Sequence, residues 1–416
     1  MSFVRAALVI AVLSAAVALA VGILSRTPAE VRRAEPPSDA TDPSQGARFT
    51  DEQVARHGAY RAPTYLALAL SFVLEVSVLL VLARAGAYRI VERLPGGWAT
   101  RAAVFAIVVT ATLFVARLPL GYVRGFAMGQ AWGLSTQDLG GWLSDAARAL
   151  GVAAVLAVVS AIAFFGVVRW QPRLWWLWGW GAFTVLTALL TFLWPVVIAP
   201  LFNRFTPLED AALRQRIVAL AADAGVNADR VLVADASKRT TTENAYVAGL
   251  GETKRVVLYD TLLAEADEDE VAFVVAHELG HEAEDHVLKN VVLASAGLFV
   301  GFAALAWLGG RPGFWSWGGA GGVSDVRALP LLLLVATVMG VIALPLQSAV
   351  SRRFEARADE IAVRLTDDPS TAVRAFRRLA FSNLADLRPP DAAVALAFSH
   401  PPIPDRIRAA LEDTGR

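Results

Sequence analysis

The chain has 416 residues, 56% of them hydrophobic, with 38 basic and 38 acidic side chains and a mean hydropathy of +0.50. A soluble globular protein holds about 45–50% apolar residues, so the excess points to a membrane protein, and zero net charge gives no sign of a nucleic-acid partner. The absence of cysteine excludes disulfides and thiolate metal sites, so any metal must be held by His, Asp or Glu.

A helix needs about 20 apolar residues to cross a bilayer. Seven stretches qualify or come close: 6–24, 64–83, 102–120, 150–168, 175–199, 291–308 and 329–346. The first, behind Arg5, is longer than the about 7–15 apolar residues of a secretory signal, so a retained helix is expected. Residues 25–61 are polar, contain Pro and carry both signs of charge, which reads as a loop with His57 solvated in it. Glu75 lies inside the second span. A carboxylate in lipid is costly, so it should face a polar interior, either a water-filled cavity or a structural partner. Residues 121–149 are amphipathic and end in a helix-like stretch, 142–148. Trp170, Trp175, Trp176, Trp178, Trp180 and Trp194 flank or open the fifth span as an interfacial belt does.

The main polar block, 200–290, joins a helix-like stretch (208–224) to β-branched runs at 230–235 and 255–259, bounded by turn signals and hence strands. Residues 243–250 between them form a further candidate strand, and 267–285 a helix. A second polar block, 351–416, reads as helical with a Pro-rich interruption. Four regions result: spans one to five with the loop 25–61 (1–199), the polar block (200–290), spans six and seven (291–350) and the C-terminal part (351–416). With seven spans, both polar blocks share a side with Arg26, Arg32, Arg33, Arg124, Arg352 and Arg353. The other side carries Arg84, Arg89, Arg93, Arg101, Arg169 and Arg173, so the bias is small. The positive-inside rule then favours a multi-pass protein of the inner (plasma) membrane with its polar blocks in the cytoplasm.

The 267–285 helix carries His277-Glu278-Leu279-Gly280-His281, an H-E-x-x-H motif. Residues four apart share a helix face, so His277 and His281 offer two imidazoles to one zinc ion with Glu278 beside them as general base. Catalytic zinc sites take three protein ligands plus water. The best third candidate is Glu355, four residues before Asp359 on the helix leaving the seventh span, with Asp359 free to accept the outer N–H of a ligating histidine. The sixth and seventh spans form a hairpin that returns Glu355 to the side of His281, which puts the metal at the membrane boundary. Zinc would polarise the scissile carbonyl and lower the pKa of its water to about 7. Glu278 would carry the proton to the leaving amine, and His400 or Arg406 is a candidate donor to the oxyanion. Gly280 costs about 1 kcal/mol against Ala in a helix, so a close approach is expected there. His286, five residues after His281, would fall about 500° further round a continuous helix and reads as a structural contact rather than a ligand. Asn244, Ala245 and Tyr246 are candidates to hold a peptide as an added edge strand.

These residues resemble the type 1 CAAX prenyl proteases, membrane zinc metallopeptidases. The likeness covers most of the chain: Pro200-Leu201-Phe202-Asn203-Arg204-Phe205, Ser237-Lys238-Arg239, Asn244-Ala245-Tyr246, Asp260-Thr261-Leu262-Leu263, Ser351-Arg352-Arg353-Phe354-Glu355 with Ala358-Asp359, Gly133-Leu134-Ser135-Thr136-Gln137, and His400-Pro401-Pro402-Ile403 to Arg406. The resemblance implies a mainly α, polytopic fold, a seven-helix cage around a hydrated chamber with a zinc-protease domain containing a small β-sheet. It implies one Zn2+ held by His277, His281 and Glu355, Glu278 as base, and His400 and Arg406 near the substrate. The basic charge is carried almost wholly by Arg and Ala is abundant, which reads as a high-GC bacterial genome; eukaryotic members trim prenylated C-termini, and a bacterial host is expected to lack such proteins. The expected substrates are therefore membrane-associated peptides or proteins, lipidated or not. Loop 25–61 departs from the family's length. The competing readings are a shorter-type quality-control protease of the same clan, against which seven spans count, and a non-catalytic zinc-bound scaffold, against which an intact Glu278 counts.

Overall fold

The computed structural model describes residues 3–33, 39–84, 88–93, 95–249, 251 and 254–412. Seven helices in it are long and apolar enough to cross a membrane: Arg5–Leu24, Asp51–Arg84, Trp98–Ala131, Leu139–Trp170, Trp175–Leu201, His286–Gly309 and Val326–Thr366. Each expected span falls within one of them. Their outer faces leave Leu19, Val115, Val155, Val185 and Ile342 exposed, as a lipid-facing surface requires, while Leu74, Val78, Phe105, Val109 and Phe165 knit the inner faces together.

The second to seventh spans surround a cavity of about 2030 Å³ whose walls include Leu68, Ala106, Leu156, Phe183, Leu298 and Leu332. The first span packs alongside the second and third. Glu75 is ion-paired with Arg117, which lines this cavity, and accepts a hydrogen bond from Thr337 Oγ1 at 3.1 Å. The costly carboxylate is thus both paired and beside the cavity.

The polar block folds on a four-stranded sheet of β1 (Phe205–Pro207), β2 (Arg230–Ala234), β3 (Ala245–Ala248) and β4 (Arg255–Tyr259), in the order β1-β2-β4-β3. The central β2–β4 pair is parallel and the two outer pairs are antiparallel, which leaves β3 at an edge. The strand expected at 243–250 is shorter, and Leu250 lies outside the described residues. β1 was not expected, because three residues ending in Pro show no alternation. One side of the sheet buries Val256 and Leu258 against Ile217 of helix Ala211–Asp223 and Val271, Val275 and Leu279 of the motif helix, Glu268–Ala283. The motif helix turns Phe273 and Ala276 the other way, onto Ala362 of the seventh-span helix, Phe376 of helix Pro369–Ser382 and Ile407 of helix Ile403–Glu412. Both polar blocks therefore share one body, built around the motif helix.

The reading of 25–61 as a loop with a solvated His57 is corrected. Ala29–Arg33 is helical, the second span's helix already begins at Asp51, and residues 34–38 lie outside those described. Thr50 and Gln53 form a reciprocal cap: the Gln53 side chain accepts from Thr50 N at 2.9 Å, and the Thr50 hydroxyl accepts from Gln53 N at 3.2 Å. His57 is fully buried and its Nδ1–H donates to the Ala385 carbonyl at 2.7 Å. Arg61 donates to the Leu384 and Asn383 carbonyls, and buried Arg377 donates to those of Ala40, Gly46 and Arg48. Desolvated cations that bond several carbonyls strap this segment onto the C-terminal part.

The motif helix crosses the seventh-span helix at Gly280. A Cβ there would come within 3.1 Å of the Ala358 Cα and carbonyl oxygen and 3.2 Å of Ile361 Cβ. Helix propensity alone would make Gly280→Ala stabilising by about 1 kcal/mol. Because the obstacle is backbone, overpacking should win: we expect a net loss of about 1–3 kcal/mol for Gly280→Ala, and more for Gly280→Val. Thermal unfolding of the detergent-purified protein measures it, and a raised melting temperature for Gly280→Ala would contradict the crossing.

Candidate metal centre

The motif helix starts at a capping box in which Asp267 accepts from Glu270 N and the Glu270 side chain accepts from Asp267 N. Glu268, Asp269 and Glu270 in its first turn complement the helix dipole. Arg378 Nε holds Glu270 at 2.9 Å. The helix is therefore well anchored two to three turns before its histidines.

Two imidazole nitrogens and both oxygens of one carboxylate converge at its far end. His277 Nε2 lies 3.2 Å from His281 Nε2 and 3.3 Å from Glu355 Oε2, and His281 Nε2 lies 3.4 Å from Glu355 Oε1. His277 and Glu355 are buried. Glu355 Oε2 accepts no well-formed hydrogen bond despite the nearby imidazoles. Lone pairs facing one another at such distances repel unless a cation lies between them. A tetrahedron with bonds of about 2.0–2.1 Å, as zinc makes to N and O, has edges of about 3.3–3.4 Å. The two nitrogens and one carboxylate thus fit a zinc ion by donor type and by spacing.

Each element of the cluster is held from behind. His277 Nδ1 lies 2.8 Å from Asp359 Oδ1. Asp359 in turn takes a two-pronged contact from Arg406, with Nε at 2.8 Å and Nη2 at 2.6 Å. Arg406 is buried, with its guanidinium 4.4 Å from the Phe376 ring centroid. Both of these donors are taken by Asp359. Burial opposes the charged form of His277, but Asp359 and Glu355 outweigh it and raise its pKa to about 9. A metal therefore displaces a proton there.

His281 Nδ1 meets His286 Nδ1 at 2.9 Å. The motif helix stops at Ala283, Asp285 takes a left-handed turn (φ 52°), and the sixth-span helix starts at His286. That break brings His286 under His281, where an unbroken helix would carry it away. Sequence reasoning placed His286 as a structural contact without identifying its partner. The Asp-His pair at the junction was the only signal.

Glu278 is partly buried, and among the described residues nothing donates a hydrogen bond to its carboxylate. Burial pushes its pKa above the usual carboxylate value, while His277 and His281 pull the other way. His400 Nε2 stands 3.1 Å from Glu355 Oε2, and the Ser399 hydroxyl lies 2.8 Å from His400 Nδ1. His400 is half-exposed, and its partial desolvation in the cleft lowers its pKa from the ordinary histidine value. Arg352, one turn before Glu355, donates to the Val394 and Phe398 carbonyls at 2.7 and 3.1 Å and so fixes the turn that carries His400. Asn244, Ala245 and Tyr246 lie at and just before the start of edge strand β3, which packs along the motif helix. The walls of the membrane cavity include Ser351, one turn before Glu355, and Ser399, which precedes His400.

The chain is similar to known proteins along most of its length. Residues 207–414 match the model of peptidase family M48, and residues 32–204 match that of the CAAX prenyl protease N-terminal region, five membrane helices. The chain is 33% identical over 315 residues to an uncharacterized metalloprotease, YhfN, of Bacillus subtilis, covering 74% of this chain and 73% of that protein. It is 29% identical over 310 residues to CAAX prenyl protease 1 of Saccharomyces cerevisiae, covering 70% of this chain and 68% of the yeast protein. The crystal structure of S. mikatae Ste24p superposes with a TM-score of 0.75 at 24% identity, covering 97% of this chain and 99% of that one. The chain belongs to peptidase family M48 and is a membrane metalloprotease with the CAAX prenyl protease arrangement of spans.

Proposed function

We propose that the chain is a zinc endopeptidase that cuts membrane-associated peptides and proteins at the cytoplasmic face of a bacterial inner membrane. The observation that carries this reading is the match between the His277, His281 and Glu355 spacings and the edges of a zinc tetrahedron. When bound, the ion supplies Lewis-acid polarisation of the scissile carbonyl and an acidified water.

The chain's own residues do the rest. His277, His281 and Glu355 bind and orient the ion. Glu278, one residue along from His277 and raised in pKa by burial, takes the proton of the attacking water and delivers it to the leaving amine. His400, its Nδ1 met by Ser399, turns Nε2 toward the site, where an Nε2–H can donate to the carbonyl oxygen as charge develops. Arg406 acts through Asp359, which it holds against His277. A substrate strand pairs with the edge at Asn244, Ala245 and Tyr246. The cavity's mostly apolar walls suit substrates with apolar segments or a lipid. The name shared by the relatives, CAAX prenyl protease, makes prenylated C-termini one member of that class and not its boundary.

Glu278→Gln should lower peptide cleavage by about 10²–10⁴-fold, the usual share of general base catalysis, while zinc stays bound at one ion per chain. Cleavage at the wild-type rate would remove Glu278 from the chemistry. Arg406→Ala leaves Asp359 buried without its cation, and its cost should be about 3–5 kcal/mol of stability. Thermal unfolding tests this, with unchanged stability as the contrary result.

A further inference from the structure

The two histidines of the motif are supported differently. His277 turns its outer nitrogen to a carboxylate, Asp359, whereas His281 turns its outer nitrogen to another imidazole, that of His286. We propose that His286 is a positioning residue of the metal centre: it accepts the Nδ1–H of His281 and so fixes Nε2 as the nitrogen that faces the metal. The inference rests on the zinc reading above.

Two imidazole nitrogens 2.9 Å apart hold one proton between them. If His281 ligates through Nε2, which faces Glu355 and His277, its Nδ1 must carry the hydrogen, and His286 Nδ1 must be bare. Neither ring is free to drift from this arrangement. His286 is 3% exposed and stacks on Phe354, with centroids 4.2 Å apart and planes at 14°. Phe354 directly precedes Glu355, so the helix that supplies the third ligand also clamps the ring that orients the second. The left-handed turn at Asp285 brings His286 there.

Charge explains why an imidazole suits this position. Glu278, Glu355 and Asp359 already crowd the site with carboxylates. A neutral acceptor satisfies His281 without a fourth negative charge, and a metal ligand needs such a partner to fix its tautomer. The motif of this chain is then H-E-x-x-H-x4-H, with the last histidine acting through the second.

Zinc affinity of the metal-depleted, detergent-purified full chain, measured by competition with a chelator, tests the proposal. His286→Phe keeps a ring on Phe354 but has no acceptor, and should bind zinc about 10- to 100-fold more weakly. His286→Ala should do the same, whereas His286→Asn, which offers an amide oxygen near the position of Nδ1, should recover most of the loss. Melting temperatures of the metal-free proteins show whether a variant folds, and if the Phe variant does not, the Asn and Ala pair decides. A folded Phe variant with wild-type affinity, or Asn no better than Ala, overturns the role of His286. A wild-type protein that binds no zinc overturns the underlying metal reading and this role with it.

Discussion

The backbone contact between Gly280 and Ala358 sets the rest of the site. It lets two helices cross so closely that Glu355, one turn before Ala358, comes level with His277 and His281, one on each side of Gly280. One residue further along, Asp359 comes level with the outer nitrogen of His277. Three ligand positions and their main electrostatic support thus follow from one crossing. A methyl group at Gly280 would meet backbone, which cannot rotate away as a side chain can.

The crossing in turn depends on the membrane. The motif helix leads through the turn at Asp285 into the sixth span, and Glu355 lies on the polar C-terminal continuation of the seventh-span helix. The two spans run antiparallel, and the sixth packs mainly on the fifth. The sheet and the C-terminal helices then close around the motif helix, one on each face. The same construction sets the site beside the cavity between the spans, whose walls include Ser351 and Ser399.

Periodicity and chemistry made much of this legible in the sequence. The seven spans are long apolar runs, and the H-E-x-x-H helix and Glu355 follow from ligand chemistry plus the hairpin of spans. Longer-range contacts were not legible. His57 lies among polar residues, and its burial depends on the Ala385 carbonyl more than three hundred positions away. Even so, Thr50 and Gln53 carried the cap that announces a helix there. The pairing of Arg406 with Asp359 uses two residues that sequence reasoning had singled out separately, and only the fold joins them. His286 was misjudged in angle because a continuous helix was assumed, while a left-handed aspartate breaks it.

The central claim is that one metal sits between two imidazoles and one carboxylate. Zinc K-edge X-ray absorption on the purified, metal-loaded protein tests it directly. The account predicts a four-coordinate shell of nitrogen and oxygen only, at about 2.0–2.1 Å, with outer-shell scattering from two imidazole rings. That scattering should fall to one ring in His281→Ala. Scattering from three or more rings in the wild-type protein, or a first shell that is unchanged in Glu355→Ala, would contradict it.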